Sequence, residues 1–169
     1  MQIYQASVPV FQRYLGQLVV LVQRAESHAK TQGLDPAALL AARLAGDMLP
    51  FAVQAEIAVN FALRTCFPLA GEPVPNYGEF ANSFAGLRER IERCQSLLAG
   101  LRPEQFEAAE QRLIDSQAGQ AVLRLPAGEF LLQYALPNFF FHVTTAYAIL
   151  RHHRVALGKE DFDGYHAYG

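Results

Sequence analysis

The chain has 169 residues, of which 51% are hydrophobic and 18% are charged, and its formal net charge at pH 7 is −2. A chain of this length fits one domain, here residues 1–169, and can bury roughly 70% of the surface that its unfolded form exposes. Because the 14 basic residues nearly balance the 16 acidic ones, we expect neither nucleic acid nor an anionic membrane surface as a partner.

Features of export and membrane insertion are also missing. The first residues, MQIYQASVPVF, lack a basic region followed by an apolar run and a cleavage site, so we expect no signal peptide. The apolar segment LGQLVVLVQ is broken by Gln17 and Gln23, well short of a membrane span. Cys66 and Cys94 form no C-x-x-C pair, which fits packed thiols in a reducing compartment. These features together predict a cytoplasmic protein.

The first long helix is predicted from just after Ser7, read as the N-cap with Pro9 in the first turn, to about Lys30 before Gly33. Its apolar residues recur at the spacing of one helix face: Phe11, Tyr14, Leu15, Leu18, Val19 and Val22.

Cap chemistry predicts two further helices. Asp35 and Pro36 open a short helix that runs to about Ala42. A second long helix begins between residues 47 and 50 and runs to about Leu69.

The third long helix is amphipathic, with one buried stripe made by Phe80, Phe84, Leu87, Ile91, Cys94, Leu97 and Leu98. Its charged run RERIER, residues 88–93, is most simply a solvated face. Residues 113–128 follow, and the alternation in AVLRLP fits either a small hairpin or an extended connection.

The last long helix covers about residues 137–153, and Pro137 either kinks it or begins its first turn. It is apolar nearly all round, which is typical of a helix buried on most sides. We therefore predict an all-α four-helix bundle with short extra helices, whose last helix lies at the centre or is covered by a second subunit in a homodimer. The tail after this helix is expected to pack back through Phe162 and Tyr165.

A polar stripe interrupts the last helix. Asn138, His142 and Thr145 are spaced i, i+4 and i+7 and so share one face. Leaving such groups buried and unpaired would cost roughly 1 to 3 kcal/mol each. Gln54 and Thr65 of the second long helix are the hydrogen-bonding partners that we predict across the bundle.

Two interpretations of His142 stay open at this point. It is either a core histidine satisfied by its neighbours, which is the commoner case, or it points into a cavity that holds water, a metal or a substrate. A zinc site would need three or four ligands. His152 and His153 cannot supply them, because they lie roughly 15 to 16 Å further along the helix axis.

The motif LPNFFFHVTTAYAILRHH, followed by LGKEDF and preceded by DMLP at residues 47–50, resembles an uncharacterised bacterial family known only as a domain of unknown function. That family is similar to a branch of the DinB/YfiT-like superfamily, regarded as metalloenzymes. The resemblance implies a DinB-like four-helix bundle, commonly dimeric. It extends over nearly the whole chain.

Metal-binding members of that superfamily carry one histidine on the second helix and an H-x-x-x-H pair on the last. Asn138 and His142 resemble the last-helix pair, with asparagine in the first place, and residues 48–69 contain no histidine. The resemblance therefore implies that two of the three usual ligands are missing, and we expect no metal cofactor.

Three functional hypotheses follow. The leading one is a small-molecule-binding bundle with a polar pocket made by His142, Asn138, Gln54 and Thr145, with no catalytic residue assigned and enzymatic activity undecided. A metal-dependent transferase or isomerase with a divergent site is the second, in which Asn138, His142 and a carboxylate such as Glu56 or Asp47 would form a weak metal site. The third is a non-catalytic structural or interaction module with a sealed core.

Overall fold

The computed structural model describes residues 2–167 of the chain. Four long helices dominate it: α1 (Ile3–Gln32), α3 (Phe51–Ala70), α4 (Phe84–Ala99) and α6 (Leu136–His152). The shorter elements are α2 (Pro36–Leu40), two 3₁₀ turns (Pro103–Phe106 and Ala109–Gln111), strands β1 (Leu113–Ala118) and β2 (Ala121–Pro126), α5 (Ala127–Glu129), a π-helical segment (Phe130–Ala135) and α7 (Lys159–Asp163).

The four long helices pack as a bundle. The closest neighbours are α3 with α6 and α1 with α4, while α3 also contacts α4 and α1. The largest fully buried side chains in the core of the bundle are Phe11, Phe51, Phe130 and Phe139. The predicted all-α bundle with short extra helices and a small hairpin is confirmed.

Two helix starts differ from the sequence-based prediction. The prediction that Ser7 caps α1 is wrong: the helix begins at Ile3, and the Ser7 hydroxyl donates to the Ile3 carbonyl 2.7 Å away. A serine side chain can cap a helix or bond back to its own preceding turn, and here it does the second. The buried stripe predicted for the third long helix includes Phe80, whereas α4 begins only at Phe84, where Ser83 caps it: Ser83 Oγ accepts a hydrogen bond from the Gly86 N–H at 3.0 Å.

The hairpin resolves the alternative left open for residues 113–128. Strands β1 and β2 pair antiparallel, with Leu113 opposite Pro126 and Ala118 opposite Ala121. Arg64 of α3 holds the hairpin against the bundle, since its Nη2 donates to the Gln117 carbonyl at 2.6 Å.

The last helix accommodates Pro137 without a break in the chain's helical course. Residues Phe130–Ala135 form π-helical turns, and α6 then begins at Leu136. Proline lacks an N–H and crowds the carbonyl one turn before it, so a wider turn at this point relieves the conflict. The Asn138 side-chain amide donates to the Tyr134 carbonyl at 2.7 Å and so satisfies an acceptor beside the irregular turn.

The predicted return of the C-terminal tail is confirmed. Helix α7 packs on α1, and Arg24 Nε of α1 lies 3.4 Å from Asp161 Oδ1 of α7. Phe162 contacts Tyr147 with ring centroids 5.8 Å apart, and the Arg13 guanidinium lies 3.6 Å from the centre of the Tyr165 ring. Within residues 2–167, no helix has the length and apolarity to cross a membrane.

Candidate functional site

The histidine of α6 meets the glutamine of α3 where these two helices pack together. His142 Nδ1 lies 2.7 Å from Gln54 Oε1. Gln54 is buried and His142 is half-buried. Of the two partners that the sequence suggested, Gln54 is therefore the one that His142 reaches. Thr65 instead donates to the Phe61 carbonyl of its own helix at 2.6 Å.

A second hydrogen bond fixes the orientation of the glutamine. Gln54 Nε2 donates to the Leu49 carbonyl at 3.0 Å. A carbonyl only accepts, so the amide nitrogen must face Leu49 and the amide oxygen must face His142. His142 therefore carries its proton on Nδ1 and donates it to Gln54, which leaves a lone pair on Nε2.

The Nε2 atom of His142 is open to solvent. Among the described residues no side chain or carbonyl bonds to it, and no buried polar atom of a side chain is left without a partner. A neutral imidazole nitrogen in this position accepts a hydrogen bond, takes up a proton or donates a lone pair to a metal.

Aromatic rings make the surroundings of His142 apolar. The Phe61 ring is nearly parallel to the imidazole, at 26°, with the two centroids 5.9 Å apart. Phe141 meets the imidazole edge to face, with centroids 5.1 Å apart. The partial burial that results lowers the pKa of His142 below its ordinary value. The neutral form, with its free lone pair, is therefore favoured at neutral pH.

The other two members of the polar stripe are held by the last helix itself. Asn138 donates to the Tyr134 carbonyl, and Thr145 donates to the Phe141 carbonyl at 2.7 Å. Both bonds run back by four residues, the usual way in which a short polar side chain is satisfied within a helix. The structure therefore brings together His142 and Gln54, with Asn138 and Thr145 on the same helix but engaged locally.

The side chains around His142 do not fit a metal centre of the usual kind. Across residues 2–167, no three His, Cys, Asp or Glu side chains come together in a way that could hold a metal ion. Glu56, one of the two carboxylates considered for a divergent site, has its Oε1 3.3 Å from Arg90 Nη1 of α4. It is engaged with a different helix from the one that carries His142.

Arg90 itself contradicts the simplest interpretation of the charged run. The sequence predicts a solvated face for residues 88–93, yet the Arg90 side chain is only 13% exposed. It donates to the Tyr77 hydroxyl at 2.8 Å, and its guanidinium carbon lies 5.0 Å from the centre of the Phe80 ring. Sequence periodicity missed it because the loop that covers it, residues 71–83, has no helical pattern.

An apolar surface lies beside the site. Its residues come from α6 and from the segment before α3: Leu44, Phe140, Phe141, Thr144, Thr145 and Ala148. They line an open depression of about 440 Å³. Phe141 is the most exposed of the three consecutive phenylalanines, at 58%.

Comparison with known proteins supports the resemblance seen in the motifs. Residues 3–163 match the family described as "Domain of unknown function (DUF1993)". The crystal structure of a DinB family member protein from Shewanella denitrificans is 32% identical in sequence, with a TM-score of 0.86, over 98% of this chain and 94% of that chain. No curated protein matches this sequence. The similarity to an uncharacterised DinB-like family is confirmed.

Proposed function

Because the chain belongs to the DUF1993 family and has a DinB-like helical fold, we propose that it binds a small molecule through the Nε2 atom of His142 and holds no resident metal. The observation that carries this proposal is the fixed tautomer. Gln54 holds the Nδ1–H, and Nε2 keeps a lone pair that no described residue uses, on an imidazole that packs against the rings of Phe61 and Phe141. The complementary ligand is an uncharged molecule that offers one O–H or N–H donor and an apolar body.

The proposed binding site includes the four residues of the sequence-based hypothesis in two roles. His142 would contact the ligand, and the buried Gln54 positions its imidazole. Asn138 and Thr145 flank them on α6, and their side-chain oxygens retain acceptor capacity after each has donated its hydrogen bond. In the described part of the chain no second histidine joins His142 in a metal-binding cluster, which argues for hydrogen bonding rather than metal chemistry.

The first test is nitrogen-15 NMR of His142 at pH 7.5, in protein purified without chelator. We expect a protonated Nδ1 and an unprotonated Nε2, with a pKa below about 6.5, the ordinary value for histidine. A screen of small alcohols, phenols and amides should then contain binders that shift the Nε2 resonance.

The matched control is His142→Phe, which keeps a flat ring and removes both nitrogens. Binding that survives this change, or a proton on Nε2 in the free wild type, would overturn the proposal. Elemental analysis of the same samples tests the second part of the proposal, that the protein holds no resident metal. Near-stoichiometric metal in the wild type that disappears in His142→Phe would instead establish the metal-dependent alternative.

We also propose that two chains associate through the apolar surface on α6. Phe141, Leu44 and Leu49 are large apolar side chains exposed to solvent, and they lie on α6 or in the segment before α3. Exposed apolar surface of this kind is typical of protein interfaces.

Sedimentation equilibrium should give a dimer for the wild type and a monomer for Phe141→Asp, because a carboxylate would be buried unpaired in the interface. Val122→Asp is the matched control, since Val122 is 68% exposed on the hairpin and should leave the dimer intact. A wild type that stays monomeric at about 100 μM would refute the association, since the free energy of dimerisation would then be weaker than about 5.5 kcal/mol.

The proposed location is the cytoplasm. Cys66 and Cys94 are free and buried, and burial raises the pKa of Cys94 to about 12 and that of Cys66 well above its ordinary value. Such thiols are unreactive packing groups, and unpaired cysteines of this kind suit a reducing compartment.

A further inference from the structure

A second cavity lies on the other side of α3 from His142. It has a volume of about 210 Å³ and is bounded by the end of α2, the first half of α3, the start of α4 and the loop before α4. Its apolar walls include Leu40, Val53, Phe80 and Leu87, and its charged groups are Glu56 and Arg90.

The Arg90 guanidinium is held in place by one of its nitrogens. Nη1 donates to the Tyr77 hydroxyl and lies 3.3 Å from Glu56 Oε1. The Tyr77 hydroxyl in turn donates to Asn60 Oδ1 of α3. The rings of Tyr77 and Phe80 lie 5.6 and 5.0 Å from the guanidinium carbon, which restricts the cation further.

The other two nitrogens of Arg90 are unused. Within residues 2–167, Nε and Nη2 have no hydrogen-bond partner, although only 13% of the side chain is exposed. Neither nitrogen is fully buried, because every fully buried side-chain nitrogen or oxygen in the described chain has a hydrogen-bond partner and these two have none. A guanidinium presents its Nε and Nη2 hydrogens as a parallel pair, the arrangement that matches the two oxygens of a carboxylate.

We propose that this cavity binds a small monocarboxylate, with its carboxylate on the free edge of Arg90 and its apolar body against Phe80, Leu87 and Leu40. The volume fits this class of ligand. A closed apolar cavity of about 150 Å³ holds benzene, so 210 Å³ accommodates a ring or a branched chain of about six carbons together with the carboxylate.

The nearby Glu56 sharpens the choice of ligand. It already neutralises the Nη1 side of Arg90, and it would repel a second negative charge on the ligand. The site therefore favours one carboxylate over two. This carboxylate site goes beyond the function proposed for His142 and does not rest on it. Gln54 of α3 contacts His142 of α6, whereas Glu56 of α3 contacts Arg90 of α4.

The test is titration of the protein with benzoate, followed by nitrogen-15 NMR of the backbone. We expect saturable shifts of the amides of Phe80, Ala81 and Leu87. Benzamide, which has the same shape without the charge, should bind at least tenfold more weakly, since a charge-assisted pair is roughly twice as strong as a neutral one. Benzylamine should not bind.

Variants separate a built site from a general affinity for apolar acids. Arg90→Gln should weaken benzoate binding by about tenfold or more, which corresponds to about 1.4 kcal/mol. Arg93→Gln is the matched control, since Arg93 is an exposed arginine of the same helix and does not line the cavity.

A second variant keeps the test decisive if Arg90→Gln does not fold. Ala41→Leu places a larger side chain in the cavity without touching the Arg90 hydrogen bonds, and it should abolish binding. Ala85→Leu, on the exposed side of α4, should not. The proposal would be overturned by equal binding of benzoate and benzamide or by undiminished benzoate binding in Ala41→Leu. It would also be overturned if benzoate at about 50 mM gave no saturable shift, because the binding free energy would then be weaker than about 2 kcal/mol.

Discussion

Replacement of Phe139 by alanine is expected to lower the free energy of unfolding by about 3 to 5 kcal/mol, the usual loss for a fully buried phenylalanine. Phe139 is 0% exposed. Its ring meets Phe11 of α1 edge to face, with centroids 4.8 Å apart, and Phe140 at 5.4 Å. Alanine would leave a cavity between α6 and α1 that two rigid helices cannot close. Urea denaturation followed by circular dichroism measures the loss.

The matched control is Phe141→Ala, two residues further along the same helix. Because Phe141 is 58% exposed, its loss should cost about 0.5 kcal/mol or less at low protein concentration. The proposed dimer adds a condition: the difference from the wild type should grow as the protein concentration rises, since association stabilises only the folded chain. Equal losses for Phe139→Ala and Phe141→Ala at low concentration would contradict the burial described for α6.

These two neighbouring phenylalanines show what the sequence can and cannot predict. Periodicity correctly predicted that α6 is a helix and that most of it is apolar. It could not separate Phe139 from Phe141, because both are equally apolar and a helix pattern does not reveal which faces have a neighbour. The neighbour of α6 is set by the long-range contact between α3 and α6, which joins residues far apart in sequence: Gln54 and His142 are 88 positions apart.

The sequence could predict which polar side chains share the site, but not which backbone carbonyls they bond. The stripe on α6 and the partner Gln54 follow from helical spacing and from the cost of unpaired polar groups. Thr65, Asn138 and Thr145 were not separable from Gln54 on these grounds, yet each bonds a carbonyl of its own helix. Backbone acceptors such as the Leu49 carbonyl leave no mark in the sequence, although that acceptor fixes the tautomer of His142.

The loop before α4 was the hardest segment to predict, and it forms one wall of the Arg90 cavity. It has no repeating pattern, so neither its path nor its contact with Arg90 could be expected from spacing. Its position depends on a close approach of two backbone segments. Ala81 lies so near Gly86 that a Cβ atom added to Gly86 would come within 2.0 Å of the Ala81 carbonyl oxygen and 2.8 Å of its carbon.

Gly86→Ala is therefore expected to destabilise the protein by about 1 to 3 kcal/mol, the usual cost of overpacking. The atoms in conflict are backbone atoms, so no side-chain rotation relieves the overlap, and the loop must move. Since Ala81 lines the cavity, the same variant should weaken benzoate binding. Urea denaturation gives the first effect and the NMR titration gives the second.

Gly16→Ala is the matched control for this glycine, with an effect of the opposite sign. Gly16 lies inside α1, and the nearest atom to an added Cβ is Gln95 Nε2 at 3.9 Å, an ordinary contact. Removal of a glycine from a helix interior stabilises it by about 0.5 to 1 kcal/mol, since the unfolded chain loses freedom. Opposite signs for the two substitutions would identify the contact with Ala81 as the cause. If Gly86→Ala were as stable as Gly16→Ala, the loop would not be held where the cavity requires it.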